Sequence, residues 1–147
     1  MISLNGLPIL AGKVSFGFRG SWVANIDVGD GEIEDGDCVI SDGTNKLNGT
    51  VIYSGLNGAS NSTSVIGGKG GMSTEVPASH YKGAKVSKIL ADICEAAGEK
   101  TSQAIDRSIA SETLSFWSTP AGRCGTNLSI LARHLGTTWG VDLNGGV

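Results

Sequence analysis

The sequence predicts an α+β protein, a small antiparallel β barrel or sandwich followed by a small α+β unit. Three observations carry this. Apolar residues alternate at period 2 in the first half and recur at i, i+3, i+4 and i+7 in the second. Turn dipeptides punctuate the first half at short intervals, as in small all-β units. Composition shifts at the same place: residues 1–75 hold 15 of the 23 glycines and a net charge of −4, residues 76–147 a net charge of +1. The boundary falls between Gly71 and Pro77, giving a glycine-rich β domain over 1–71 and an α+β domain over 77–147.

In KVSFGFR, Val14, Phe16 and Phe18 alternate with Ser15, Gly17 and Arg19, the pattern of a half-buried strand. SWVANIDV places Trp22, Ala24, Ile26 and Val28 on one face of the next strand. The acidic run VGDGEIEDGD, punctuated by Gly29, Gly31 and Gly36, reads as a loop. DCVIS and NKLNGTVIYS flank Asp42-Gly43, a hairpin dipeptide in which both residues tolerate positive φ, and Asn57-Gly58 turns the chain again before STSVIGG.

In the second half, SHYKG reads as linker. GAKVSKILADICEAAGE then puts Val86, Ile89, Leu90, Ile93 and Ala97 on one stripe, predicting a helix over about 84–97 with Gly98 as its left-handed cap. TSQAIDRSIA suggests a shorter helix with Ile105 and Ile109 one turn apart, and LSFWST reads as a short strand or extended segment ended by Pro120. NLSILARHLG predicts a second main helix over about 127–135, carrying Leu128, Leu131, Ala132 and Leu135, with Thr126 or Asn127 as cap and Gly136 after it. TTWGVDL reads as a last strand with Trp139, Val141 and Leu143 on one face, followed by the turn Asn144-Gly145-Gly146. A chain stopping just after such a turn suggests the N-terminal part of a longer protein, or a strand edge that pairs with a neighbour.

The 39% hydrophobic content and mean hydropathy of +0.05 indicate a folded, water-compatible chain. No run approaches the roughly 18 apolar residues that a spanning helix needs. The first residues, MISLNGLPIL, lack the basic start and long apolar stretch of a signal peptide, so synthesis in the cytoplasm is the default. A net charge of −3 argues against nucleic acid as partner. Cys38, Cys94 and Cys124 are odd in number and far apart, and read as structural thiols.

The stretch VIGGKGGMST, Val65 to Thr74, has the glycines of a phosphate-binding loop but not its order. Such a loop ends Gly-Lys-Ser/Thr, where the lysine neutralises phosphate and the hydroxyl holds magnesium. Here Lys69 precedes the last glycines, Met72 follows Gly71, and Pro77 disfavours a helix start, so the stretch reads as a structural connection. From Asp30, the acidic run matches a calcium loop at Glu32 and Glu34, but Asp35 stands where glycine is needed and Ser41 where glutamate is. His80 and His134 belong to no catalytic motif. No catalytic residue, cofactor site or metal site is therefore expected. The residues singled out for interaction are Trp117, Trp139, Val141 and Leu143. Trp139 falls in register with apolar neighbours, as core residues do. Trp117 follows Phe116 out of register, and both a core and an exposed reading stay open for it.

The order of segments carries one further indication. A first strand ends in "LNG", "GSWVANIDV" precedes an acidic loop, and "LNGTV" leads through a turn to "VIGGKGGM". Then come "VPASHYKG", a helix ending "AAGE", an "FW" segment, a second helix and "TTWGVDLNGG". This resembles proteins of the tail-morphogenesis modules of tailed bacteriophages and prophages, akin to baseplate-hub or tail-tip components. The resemblance implies a virion structural protein and not an enzyme. It would be made in the bacterial host cytoplasm and carried in the tail, as a homo-oligomer contacting other phage tail and baseplate proteins. The competing expectations are a cell-wall-degrading tail enzyme and a carbohydrate-binding β module with Trp117 as stacking platform.

Overall fold

Trp22, Ala24, Ile26 and Val28 are all buried, so the alternation read from the sequence forms one wall of a core. The computed structural model describes residues 1–147 and divides them into two units, Met1–Gly70 with Gly140–Gly145, and Gly71–Trp139 with Gly146–Val147.

The first unit is a closed antiparallel barrel of six strands. They are β1 (Ser3–Leu4), β2 (Leu7–Ser15), β3 (Val23–Val28), β4 (Gly36–Ser41), β5 (Lys46–Asn57) and β6 (Ser60–Gly67). Two three-stranded meanders, β1–β2–β3 and β4–β5–β6, join along β3–β6 and β1–β4. Two-residue or short turns close the hairpins. Asn5 and Gly6 both take positive φ, as the Asn-Gly dipeptide of a two-residue hairpin turn does. Leu4, Ile40, Val51 and Val65 complete the interior with the β3 face.

The indole of Trp22 leaves no room for a side chain at Gly67 and, together with the Ile66 carbonyl, none at Gly49. Gly49 and Gly67 are register partners across β5 and β6. A Cβ on Gly67 would lie 2.5 Å from Trp22 Nε1, and one on Gly49 would lie 2.8 Å from the far edge of the ring. The paired glycines are the bare floor on which the ring lies. Its Nε1–H is buried there without a hydrogen-bond partner.

Both long meander strands carry a bulge. The β2–β3 register shifts between Ile9 and Ala11, the β5–β6 register between Val51 and Tyr53. The extra residues, Leu10 and Ile52, are exposed because a bulge breaks the in–out alternation. Each bulge sits where a neighbour ends. β1 pairs with β2 only at Leu7 and Pro8, and β4 pairs with β5 only as far as Val51. Beyond these points one edge of β2 and one edge of β5 have no strand beside them. KVSFGFR departs from its expected strand here: β2 stops at Ser15, and Phe16 and Phe18 lie exposed in the connection to β3.

The second unit packs α1 (Val86–Ala97), α2 (Arg107–Ser111) and α3 (Cys124–His134) with two two-stranded sheets. One sheet pairs β7 (Glu75–Val76) with β10 (Gly122–Arg123), the other β8 (Ser79–Lys85) with β9 (Thr113–Thr119). α1 buries Val86, Ile89, Leu90, Ile93, Cys94 and Ala97 on its predicted stripe. It ends on Gly98 in the left-handed conformation, and the Glu99 N–H returns to the Cys94 carbonyl at 2.8 Å. α3 starts earlier than expected, its first N–H donating from Cys124 to the Thr74 carbonyl at 2.9 Å. Asn127 is therefore not a cap. It lies inside the helix, buried, with both amide atoms unpaired.

Two expectations for this half are corrected. SHYKG is not linker but the body of β8. TTWGVDL is not a strand: residues 138–143 make only an isolated bridge, Gly140 to Gly20. The turn at Asn144-Gly145 exists, its Gly145 N–H donating to the Asp142 carbonyl at 3.0 Å, but it joins no hairpin strands. The expected open edge at this strand does not form. No helix is long and apolar enough to cross a membrane.

Candidate functional site

β9, TLSFWST, is built mostly from β-branched, aromatic and small residues around buried Leu114, and Pro120 ends it because proline has no N–H to donate. β9 in turn aligns β8, with His80 opposite Ser118, Tyr81 opposite Trp117 and Lys82 opposite Phe116. The resulting ribbon has two unlike faces. On one, His80, Lys82, Phe116 and Ser118 are all exposed. The Phe116 ring stacks on the His80 imidazole with centroids 6.3 Å apart and planes 22° apart. The Ser118 hydroxyl lies 3.0 Å from His80 Nδ1, which fixes the orientation of the imidazole.

On the other face Trp117 is half-buried, its ring 5.0 Å from that of His134 on α3. The aromatic side chain offered to solvent is thus Phe116, 67% exposed, and not Trp117. The sequence held a signal for this. Once Trp117 and Thr119 turn inward, alternation sends Phe116 and Ser118 outward.

The other singled-out residues lie elsewhere. Trp139 packs on α3: its Nε1–H donates to Ser129 Oγ at 2.9 Å, and Ser129 donates to the Gly125 carbonyl at 2.8 Å. Val141 belongs to the first unit and is buried. Leu143, also of the first unit, is half exposed, and its carbonyl accepts from Asn48 N–H at 2.9 Å. Trp117 and Trp139 therefore belong to one unit, Val141 and Leu143 to the other.

The motif residues are engaged as follows. Lys69 forms an ion pair with Asp37. Gly71 cannot carry a side chain, since a Cβ there would fall 1.7 Å from the Ala97 carbonyl oxygen, and its N–H donates to Glu99 Oε1 at 2.9 Å. Within the acidic loop, the Gly31 carbonyl accepts from Asn61 Nδ2 at 2.9 Å. No group of three or more histidine, cysteine or carboxylate side chains is placed to hold a metal ion. Burial, reinforced by the charge of Asp37, pushes the Cys38 thiol up to about 11, and burial also raises Cys94 and Cys124. All three stay protonated at neutral pH, the unreactive form.

Comparison with protein-family models and with curated proteins gave no match.

What the surface offers chemically is main-chain pairing and apolar anchoring. β8 and β9 pair only with each other, so each leaves an outer edge open. Along β2 the open edge runs from Ala11 to Ser15 and leads into exposed Phe16 and Phe18. An open edge presents unpaired N–H and C=O groups to any extended chain beside it.

Proposed function

We propose that this chain is a structural component of a tailed-phage virion, at the baseplate hub or tail tip, acting through protein–protein assembly and without an active site. The observation that supports assembly is the coincidence of open strand edges with exposed apolar side chains. Phe16 and Phe18 follow the β2 edge, and Phe116 stands on the β8–β9 ribbon. Strand addition supplies affinity through main-chain hydrogen bonds, and flanking side chains that fill pockets supply specificity. The phage setting rests on the order of segments. The partners are other tail and baseplate proteins and further copies of the chain.

The test is mass spectrometry of tailed particles purified from the bacterium that encodes the chain. Peptides from both units should co-purify with the tail proteins in fixed ratio through a density gradient. Abundant chain in the lysate with none in the particles would sink the virion reading.

A second reading is favoured by the Phe116–His80 stack, a flat exposed platform of the kind on which sugar rings lie. Titration with soluble cell-wall fragments separates the two. Saturable binding that Phe116→Ala abolishes would favour glycan recognition.

A further inference from the structure

We infer that the barrel unit holds a docking groove for an extended, basic segment of a partner protein, which adds as a strand beside the distal half of β5. This rests on the assembly function proposed above and names the chemistry of one partner.

The groove follows from where β4 begins. β4 lies along β5 from Ser41 opposite Lys46 to Gly36 opposite Val51, and there the pairing stops. β5 continues through Asn57, held on its other side by β6, with Ser54 opposite Thr63 and Leu56 opposite Asn61. Beyond Val51 no strand pairs with that side of β5, because the chain before Gly36 leaves it as the acidic loop. Between the loop and the β5–β6 hairpin lies a cleft of about 480 Å³, lined by loop residues 30–33 on one side and, on the other, by Ser54, Gly55 and Leu56 of β5 with residues 59–61 of the turn and β6.

Three properties of this cleft select its occupant. In an antiparallel strand alternate residues turn N–H and C=O away from the paired neighbour, so the distal half of β5 offers a ladder to a chain laid along it. Leu56 is 85% exposed and Ile33 is half-buried, which provides apolar contact for one side of an added strand. Asp30 and Glu32 make no ion pair within the chain, and no lysine or arginine lines the cleft. A strand whose alternate side chains are lysine or arginine meets these carboxylates. An acidic strand meets like charge.

The probe is a fluorescein-labelled peptide of about eight residues, a typical strand length, alternating lysine with threonine and valine. It is titrated with the full chain at low salt and followed by anisotropy. Saturable binding is expected, with amide shifts at Ser54, Gly55 and Leu56 in nitrogen–proton spectra. The same peptide N-methylated at alternate backbone positions should bind at least about tenfold more weakly, since it cannot complete the ladder. The glutamate analogue should not bind. Asp30→Asn with Glu32→Gln, both on exposed loop positions, should weaken the basic peptide by about two- to tenfold, and salt should erase that difference.

Equal binding of the basic and acidic peptides, or of the methylated and unmethylated ones, would overturn the proposal. So would absence of binding at millimolar peptide, or shifts confined to other strands. None of these outcomes depends on whether the chain is found in tailed particles, so the groove and the virion reading fail separately.

Discussion

Single residues set the turns and the packing of the barrel, and two of them give measurable consequences. Asp42 accepts hydrogen bonds from the backbone N–H groups of Thr44 at 2.8 Å and Asn45 at 2.6 Å, and from Asn45 Nδ2 at 2.9 Å. These donors, the Asn45 side chain foremost, favour the ionised carboxyl and lower it from 3.8 to about 2. The sign follows: the turn's contribution is fully present above the ordinary value and is lost as pH falls through about 2. A carbon-detected titration should place the native Asp42 midpoint near 2, and Asp42→Asn should flatten the acid dependence of stability between about pH 4 and pH 2. A midpoint at the ordinary value would contradict the bonding described. Gly67 is the second case. Its Cβ has no room against the Trp22 indole, so Gly67→Ala should cost about 1–3 kcal/mol in chemical denaturation, the range for overpacking. An unchanged midpoint would mean that the ring is free to move.

At the scale of elements, α1 anchors the second unit. Ile89 is fully buried, and Ile89→Ala should cost about 2–5 kcal/mol, read from the denaturation midpoint. A loss below about 1 kcal/mol would place the helix face elsewhere. This helix was legible in the sequence because its signal is local: five apolar residues at helical spacing and a glycine stop. The β3 wall was legible for the same reason, four inward residues in strict alternation. β8 was not. SHYKGAK has no apolar alternation, and it becomes a strand only because β9, about thirty residues further on, pairs with it. The last segment misled in the opposite direction. Trp139, Val141 and Leu143 alternate like a strand face, yet Trp139 is held by Ser129 in one unit, while Val141 and Leu143 belong to the other. Alternation reports a strand only when one layer receives the whole face. The exposed Phe116 was hidden behind its more conspicuous neighbour, and the β5 cleft needed a register that no local pattern encodes.

At the scale of the whole molecule, the chain does not finish one unit before building the next. It leaves the barrel unit at Gly70 and returns to it at Gly140. There Asn48 N–H bonds to the Leu143 carbonyl, and Val141 is buried. The last two residues then rejoin the second unit, where the Val147 N–H donates to the Lys100 carbonyl at 2.8 Å and the Ser102 N–H to the Val147 carbonyl at 2.7 Å. Removing residues 140–147 should therefore loosen both units. Amide hydrogen exchange at Val65 and at Ile89 should each accelerate by about tenfold or more. Acceleration at one site alone would show that the segment supports only one unit. The same crossing bears on how such a chain can be inherited. The first unit draws residues from both sides of the second, so a single recombination event at Gly70 would separate Met1–Gly70 from Gly140–Gly145. Two crossovers, one after Gly70 and one after Trp139, would move residues 71–139 as a block, yet Gly146 and Val147, which belong to the second unit, would stay behind with the barrel's residues.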